Sequence, residues 1–386
     1  MRFKEFSGEW EKIRLGSIIE EIKNYTSDFN KYPLYSFTIE NGVTPKTDRY
    51  ERNFLVTKDG DTFKIVPPNS FVMNPMNLRF GAINYSKVKI PVSVSGYYNI
   101  FEIENGKNNE FWSAYFLTKT AINLYNSVAT GSLIEKKRVH FSQFIQLSFF
   151  VPSDVEKQKI TRFLQLIENR IAVQNKIISD LKVLKKELCN KLFNSSHCDK
   201  TIEIRQVADI YGGYAFNSKA YISDGKYKIV TIGNVTGDKY ISGDYNRIDI
   251  LPDNIQEQQI LNNGDILISL TGNVGRISIV NGDNYLLNQR VAKLNIKNNL
   301  IKAYIYQYLS NSSFEKDMSN AGQGAAQKNI KNEDILSYNI RIPTSQTYLE
   351  KIDGLLSSYD KLIADEERFL LNLNLQKSFL LNAMFI

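Results

Sequence analysis

The chain has 386 residues, of which 42% are hydrophobic and 23% charged, so it is long enough for two or three domains and too apolar for wholesale disorder. No apolar run reaches the length of a membrane span, and the charged N-terminus lacks the apolar core of a secretory signal. Only Cys189 and Cys198 could form a disulfide, which favours a reducing compartment, and we expect a cytoplasmic protein. The net charge of +7 permits a polyanionic partner without identifying one.

In chain order, the sequence begins with a globular segment at residues 1–151. Short runs of Ile, Val, Phe and Tyr, bounded by Gly, Asn and Asp, predict strands such as Thr62–Val66 and Gly81–Tyr85. A helical pattern follows at residues 111–125. The segment is therefore expected to be an α+β domain.

A long helix is predicted next, over residues 152–195. Ser153 followed by Glu156 forms the pattern of a capping box just after Pro152. Apolar residues then recur at spacings of three and four, interrupted by Gln174 and Lys185, which indicates a coiled-coil seam. Its positions are Ile160, Leu164, Ile167, Ile171, Ile178 and Leu181.

A second globular segment, residues 200–342, is followed by a second long helix, residues 343–386. Predicted strands at Asp265–Leu270, Gly275–Val280 and Val291–Ile296 and a helix at residues 302–311 again indicate an α+β domain. After Pro343, Thr347 and Glu350 offer another capping box. The seam of this helix comprises Ile352, Leu356, Tyr359, Ile363, Leu370 and Leu373.

Two distant pairs of landmarks reveal a repeat of the whole chain. Pro152 and Pro343 are 191 positions apart, and so are Arg14 and Arg205. We therefore predict two α/β domains separated by two long helices that pack as an antiparallel coiled coil, with a pseudo-twofold relation between the repeats. The alternative is that each helix packs separately against its own domain.

Motifs for catalysis are missing. His197, Cys198 and Cys189 do not have zinc spacing, and no phosphate-binding glycine loop occurs. With two histidines in the chain, a Ser–His–Asp arrangement has little to build on. Asn74-Pro75-Met76-Asn77 only partly matches the adenine methyltransferase motif and is expected to form a turn. We predict a non-catalytic chain without its own metal or cofactor.

Polar and basic loops remain as candidates for binding DNA. Arginine suits guanine, and Asn or Gln suits adenine, through paired hydrogen bonds in the major groove, while lysine holds phosphates. Ordinary solvated turns are the alternative for each single residue. The candidates in the first segment are Asn77, Arg79, Tyr97, Ser132, Lys136, Lys137 and Arg138, and in the second Thr271, Asn273, Arg276, Asn288, Gln289, Arg290, Gln323, Gln327 and Lys328.

These features together resemble a known family. The order of segments, the opening RFKEFSGEWEKIRLGSI, the helix after Pro152 with EKQKITRFL, and SGYYNIF at residues 95–101 are similar to the specificity subunit of type I restriction–modification enzymes. The most specific elements are Trp10 with Leu15-Gly16 and the proline-led helices. The resemblance covers essentially the whole chain.

The resemblance implies two target-recognition domains that each read half of an asymmetric bipartite site in double-stranded DNA. It implies that the helices, through their seam positions, set the spacing of the half-sites and carry two methyltransferase subunits, which bind S-adenosylmethionine and methylate adenine. A separate restriction and motor subunit would cleave the DNA. The competing hypothesis is a protein-interaction scaffold with two β-rich domains on a coiled-coil stalk, which would not bind DNA.

Overall fold

The computed structural model describes residues 1–39, 41–45, 63–132, 137–322 and 328–385. They divide into two compact units, one formed by Met1–Gln174 with Phe369–Ile386 and the other by Asn175–Arg368. Each unit therefore contains one β-rich domain and a part of both long helices.

The first domain is built on a four-stranded antiparallel sheet of order β2-β10-β7-β8. Strand β1 pairs with β11, and two smaller sheets have the orders β3-β6-β9 and β4-β5. The elements are β1 (Glu11–Arg14), β2 (Ile19–Ile22), β3 (Tyr25–Thr26), β4 (Tyr35–Thr38), β5 (Gly42–Pro45), β6 (Phe63–Val66), β7 (Phe71–Met73), β8 (Ile83–Tyr85), β9 (Val92–Ser95), β10 (Asn99–Ile103), α1 (Asn109–Tyr115), α2 (Lys119–Val128), α3 (Phe141–Phe144), β11 (Ser148–Val151) and the long helix α4 (Asp154–Phe193).

Both faces of this central sheet are buried. Successive side chains of a strand point to opposite faces. Phe71 and Phe101 accordingly join the aromatic core under α1 and α2, with their rings 5.4 Å apart. Val72 and Ile100 face a second, aliphatic cluster on the other side. A strand that is buried on both faces has apolar residues at successive positions. This is why these strands were predicted from continuous apolar runs and not from alternating apolar and polar residues.

The second domain repeats the first. Its central sheet has the order β13-β20-β17-β18, and β12 pairs with β21 as β1 pairs with β11. The elements are β12 (Lys200–Glu203), β13 (Ala208–Gly212), β14 (Tyr227–Val230), β15 (Asn246–Ile248), β16 (Ile260–Leu261), β17 (Ile266–Ser269), β18 (Ile277–Ile279), β19 (Tyr285–Leu287), β20 (Val291–Ile296), α5 (Asn299–Leu309), α6 (Ser312–Ala321), α7 (Asn332–Leu336), β21 (Asn339–Ile342) and the long helix α8 (Gln346–Met384). This common topology confirms the internal repeat.

The helix predicted at residues 111–125 is divided into α1 and α2. Thr118 lies between them in an extended conformation, and its hydroxyl accepts a hydrogen bond from the amide of Ala121 at 3.2 Å. Thr118 is thus an N-cap that starts a new helix. Apolar residues keep their helical spacing on both sides of Thr118, so the sequence pattern predicted one helix instead of two.

The long helices begin at Asp154 and Gln346, two and three residues after the predicted starts, and neither has a complete capping box. The Ser153 hydroxyl accepts from the amide of Glu156 at 3.4 Å, whereas the Glu156 carboxylate is bound by Arg2 through two hydrogen bonds of 2.7 Å. In α8 the cap is Ser345, which accepts from the amide of Tyr348 at 3.3 Å, and not the predicted Thr347. In α4, the Glu156 carboxylate binds Arg2 instead of the backbone amide of Ser153. In α8, Ser345 is the N-cap instead of Thr347, which lies two residues later.

The two long helices pack antiparallel in each unit, as predicted. In the first unit Lys377 pairs with Glu168 at 2.9 Å, and Arg170 lies over the ring of Phe369. In the second unit the pairs are Lys182 with Glu367, and Lys185 with Asp360. From the first unit to the second, the contacting residues move towards the C-terminus of α4 and towards the N-terminus of α8, as an antiparallel pair requires. The predicted seam positions are buried (Ile160, Leu164, Ile178, Ile352, Leu356, Ile363, Leu373) or half-buried (Ile167, Ile171, Leu181, Tyr359, Leu370).

Each long helix ends in a domain core. Phe193, the last residue of α4, packs against Tyr304 and Tyr308 of α5, with ring centroids 5.5 and 4.8 Å away. Just after α8, Phe385 packs against Tyr115 of α1 at 4.7 Å. Phe385 therefore completes the core of the first domain.

Candidate nucleic-acid interface

In the second domain, three loops that the sequence singled out meet at one edge of the central sheet. The loop after β17 is joined to the turn before β20 by a hydrogen bond from the amide of Leu270 to the carbonyl of Arg290 at 3.0 Å. The segment after α6 joins the same loop, since the amide of Gly272 donates to the carbonyl of Lys328 at 2.9 Å. The topology thus assembles Thr271, Asn288 and Lys328, which are far apart in sequence, at one site.

The loop between β17 and β18 has a defined shape. The Ser269 hydroxyl accepts from the amide of Arg276 at 3.1 Å and donates to the carbonyl of Asn273. Gly275 has a φ of +80°, and a Cβ there would lie 2.6 Å from that of Met318 in α6. Only glycine fits this close approach. The loop therefore presents Asn273 from a rigid base.

The two arginines of this edge differ in their availability. Arg276 is half-buried and forms a 3.1 Å ion pair with Glu315 of α6. Arg290 is exposed, and among the described residues no side chain binds its guanidinium. Gln289 is also exposed, while its backbone amide is fixed on the carbonyl of Tyr214 at 3.0 Å. Gln289 and Arg290 are thus the exposed pair with a positioned backbone.

Lys328 has a local role in the described structure. Its ammonium donates to the backbone carbonyl and the hydroxyl of Ser319 at 2.8 and 2.7 Å, which ties the segment to α6. Gln323 and Gln327, also candidates, lie outside the described residues.

The first domain assembles an equivalent edge. The amide of Val139 donates to the carbonyl of Pro75, in the loop after β7, at 3.0 Å. The matching contact in the second domain runs from Ile330 to Leu270, also at 3.0 Å, and Ile330 is 191 positions after Val139. Asn99 pairs with Met73, which places the turn before β10 beside the same loop. The repeat has preserved the architecture of this edge.

The side chains at the first edge are different. Arg79 donates to Asn126 of α2 at 2.8 Å and lies over the exposed ring of Phe80. Asn77 and Tyr97 are exposed. Asn74 forms the expected turn, since its side chain accepts from the amide of Met76 at 3.1 Å.

The basic segment of the first edge is partly described. Thr130 and Arg138 form an antiparallel bridge with hydrogen bonds of 2.9 and 3.0 Å. Ser132 and Arg138 are exposed and Lys137 is half-buried, whereas Lys136 lies outside the described residues.

Sequence reasoning missed the residues that support these loops. Asn126 and Glu315 hold the two arginines from neighbouring helices, and Tyr214 fixes the turn at Gln289. Lys64 donates to the carbonyl of Tyr98 at 2.7 Å from a strand far away in sequence. Such side-chain contacts over long sequence distances leave no local pattern. No group of His, Cys, Asp or Glu in the described part of the chain could hold a metal.

In each unit, a second exposed surface lies on the parts of the long helices that belong to that unit. In the first unit Arg170 meets Phe369, so the sides of α4 and α8 that carry these residues face the same way. Exposed apolar residues follow at intervals of seven, with Ile177 and Leu184 after Arg170 and with Leu362 and Leu355 before Phe369. We call these residues the apolar flank: Leu166 and Val173 with Phe369 and Phe379 in the first unit, and Ile177 and Leu184 with Leu355 and Leu362 in the second.

The seam residues that were assigned to partner binding are engaged in the packing of the chain itself. Seven of the twelve are buried and five are half-buried, and their assignment to partner binding stays a prediction. The apolar flank, in contrast, exposes between 38% and 66% of each side chain. The opposite flank carries the ion pair between Lys182 and Glu367. Outside the apolar flank, the long helices also expose Val183, Leu371 and Leu375.

Comparison with known proteins agrees with this architecture. The family model for the type I restriction modification DNA specificity domain matches residues 7–183 and 200–373. One match falls on each repeat. The fold and its paired loop edges thus define a DNA specificity domain present twice, and this chain belongs to the type I restriction–modification specificity family.

Solved structures show the same fold. One, described as showing complex assembly and conformational transition of the type I restriction–modification system, has a TM-score of 0.61 at 14% identity, with 98% of this chain and 97% of the other covered. The S subunit of the type I system from M. genitalium has a TM-score of 0.52 at 14% identity, with 100% and 99% covered. No curated protein matches the sequence. Within the described ranges, no helix has the length and apolar character needed to cross a bilayer.

Proposed function

We propose that this chain reads an asymmetric bipartite DNA site, with one half-site bound by each domain, for a complex that methylates and restricts DNA. The single observation that carries this proposal is the pair of loop edges. They share a matching backbone connection, from Val139 to Pro75 in one and from Ile330 to Leu270 in the other, and they present different side chains. A common backbone arrangement that carries different side chains is what we expect of two domains that bind different short DNA sequences.

The candidate side chains divide into two chemical roles. Arg290 suits guanine, and Asn273 and Gln289 suit adenine, because each can form paired hydrogen bonds with a base edge. Lys137 and Arg138 in the first domain would hold phosphates without reading sequence. Arg276 is expected to shape its loop, since Glu315 already binds it.

The partner surface follows from the long helices. We infer that methyltransferase subunits dock on α4 and α8, and that the apolar flank supplies the contact. Its leucines and phenylalanines are exposed in the isolated chain, and full burial of such a side chain contributes about 1.5–3 kcal/mol. Patches that remain apolar and exposed along a helix commonly mark protein interfaces.

Sequencing of methylated bases in a host with and without this gene tests the proposal. With intact methyltransferase subunits, the gene should add one motif of two unequal halves separated by unspecified base pairs. A host whose methylated motifs are unchanged would contradict the proposal. A chain that binds its partners but no DNA would support a protein-interaction scaffold instead.

A further inference from the structure

A buried lysine supports the exposed tyrosine at the edge of the first domain. Lys64 lies in β6 with only 7% of its surface exposed, and its ammonium donates to the backbone carbonyl of Tyr98 at 2.7 Å. Tyr98 ends the turn Ser95–Tyr98, which the amide of Tyr98 closes by donating to the carbonyl of Ser95 at 3.1 Å. Tyr97, inside this turn, is 44% exposed.

The surroundings of the ammonium show what it contributes. Lys64 also lies over the ring of Tyr25, 5.7 Å from its centre, and Glu21 and Lys23 are the charged groups that act on it. Burial lowers the pKa of the Lys64 ammonium. A buried charge is costly unless it is paired or hydrogen-bonded, and a charged donor makes a stronger hydrogen bond than a neutral one. The hydrogen bond to Tyr98 is thus strong and directional.

The turn is fixed on its other sides as well, which leaves Tyr97 as the exposed tyrosine of the pair. The Tyr98 ring packs edge-on against Phe37 at 5.8 Å, and the amide of Tyr97 donates to the Ser95 hydroxyl at 3.4 Å. The neighbouring Asn99 begins β10, which pairs with β7 beside the loop that carries Asn77. The lysine therefore acts at the base of the turn and not at the surface where DNA would bind.

We propose that Lys64 is a positioning residue for recognition of the first half-site, because it fixes the turn that presents Tyr97 to the DNA. This inference rests on the proposed function. It assigns to Lys64 no contact with a base or a phosphate. Its effect on specificity passes through the backbone of Tyr98 and is confined to one half-site.

Methylation assays on a library of sites test this inference. The complex of this chain with its methyltransferase subunits would be assayed on DNA in which each base pair of both half-sites is varied in turn. We expect Lys64→Met to reduce discrimination about tenfold at the base pairs where Tyr97→Ala also reduces it, since a good base contact supplies discrimination of this order. Lys64→Arg, which can donate to the same carbonyl, should restore most of it.

Two comparisons separate positioning from a purely structural role. In the Tyr97→Ala background, Lys64→Met should cause no further loss of discrimination, because its effect acts through that tyrosine. The second half-site, read by the other domain, should keep its full discrimination and so report that the complex is intact. If Lys64→Met does not fold, Lys64→Gln serves in the same comparison.

The inference is overturned if the Lys64 variants slow methylation of all sites equally while discrimination is unchanged. It is also overturned if they relax base pairs that Tyr97→Ala does not affect. Failure of the proposed function would look different, because the unmodified chain would then give no sequence-dependent methylation at all.

Discussion

Lys185 of α4 and Asp360 of α8 form an ion pair inside the helix seam, where their side chains are only 17% and 9% exposed. The other carboxylate oxygen of Asp360 accepts a 2.6 Å hydrogen bond from the amide of Gln307 in α5. In the sequence Lys185 merely interrupts an apolar row. In the structure it joins both long helices to the second domain, and a single polar pair in an apolar seam favours one register.

We expect Lys185→Met to lower the free energy of unfolding by about 3 kcal/mol, because it leaves the buried Asp360 carboxylate without its cation. The double variant Lys185→Met/Asp360→Leu should recover most of that loss, because the unpaired charge is then gone. Denaturant unfolding of the purified chain measures both. Lys182→Met is a matched control, since Lys182 and Glu367 are about half exposed and their pair should contribute less than about 1 kcal/mol. Equal losses for the two single variants would contradict the seam role.

Phe385, which follows α8, is expected to stabilise the first domain. Phe385 is 3% exposed and packs against Tyr115 and Phe111. We therefore expect Phe385→Ala to cost about 3–5 kcal/mol through the lost burial and the cavity it leaves. Phe379→Ala, which changes a 66% exposed ring on α8, should cost less than about 0.5 kcal/mol. Thermal unfolding followed by tyrosine and tryptophan fluorescence would distinguish them, and equal midpoints would refute the packing role.

The cysteines are expected to be unreactive in the folded protein. Cys189 and Cys198 are 4% and 1% exposed, and burial raises the pKa of the Cys189 thiol from its ordinary 9.0 to about 11. The thiolate is the reactive form, so a thiol reagent at pH 8 should label the native chain far more slowly than the denatured chain. Rapid labelling of the native chain would contradict this burial.

The same shift predicts a pH dependence of stability. The folded state holds the Cys189 proton more tightly than the unfolded state does. The protonated thiol therefore makes its full contribution to the free energy of unfolding below pH 9, and this contribution is lost as the pH rises towards 11. Cys189→Ala should therefore show a shallower loss of stability over this range than the unmodified chain, although it is less stable at pH 8. If the free energy of unfolding falls with pH equally steeply in the two proteins, the Cys189 thiol does not cause the pH dependence.

Docking of a methyltransferase partner should depend on the apolar flank. We expect Leu166→Lys and Phe379→Lys to weaken copurification of the partner at least tenfold, because each places a charge in an apolar contact. Asn374→Lys is the control, since it adds the same charge at an exposed position of α8 on the other flank. Equal weakening by all three would show that added charge, and not the apolar flank, is responsible.

Local patterns predicted much of this fold, because seam spacing and short apolar runs are set by neighbouring residues. The strand predicted at Asp265–Leu270 was confirmed as β17, and the seam positions were found buried or half-buried. What the sequence could not predict are contacts between distant polar side chains. The Arg2 contact that displaced the capping box at Glu156 and the Lys64 contact with Tyr98 both depend on the finished fold.

For the candidate site, the sequence indicated only which loop segments to consider, and the DNA-binding role of their residues stays a prediction. Asn, Gln and Arg in loops indicated which segments to consider, and the sheet topology then placed those segments at common edges. The ranking of residues within them required the structure. Arg276 and Arg290 look alike in the sequence, but only Arg276 has a carboxylate partner among the described residues.

The central claim is that each domain reads its own half of one DNA site, and the most direct test is the methylated motif produced by Arg290→Ala. The variant would be expressed with its methyltransferase subunits, and every methylated base in the host genome would be sequenced. The account predicts that one half-site relaxes, chiefly at a single base pair, while the other half and the spacing are unchanged. Relaxation of both halves together, or a uniform loss of methylation with the motif unaltered, would contradict it.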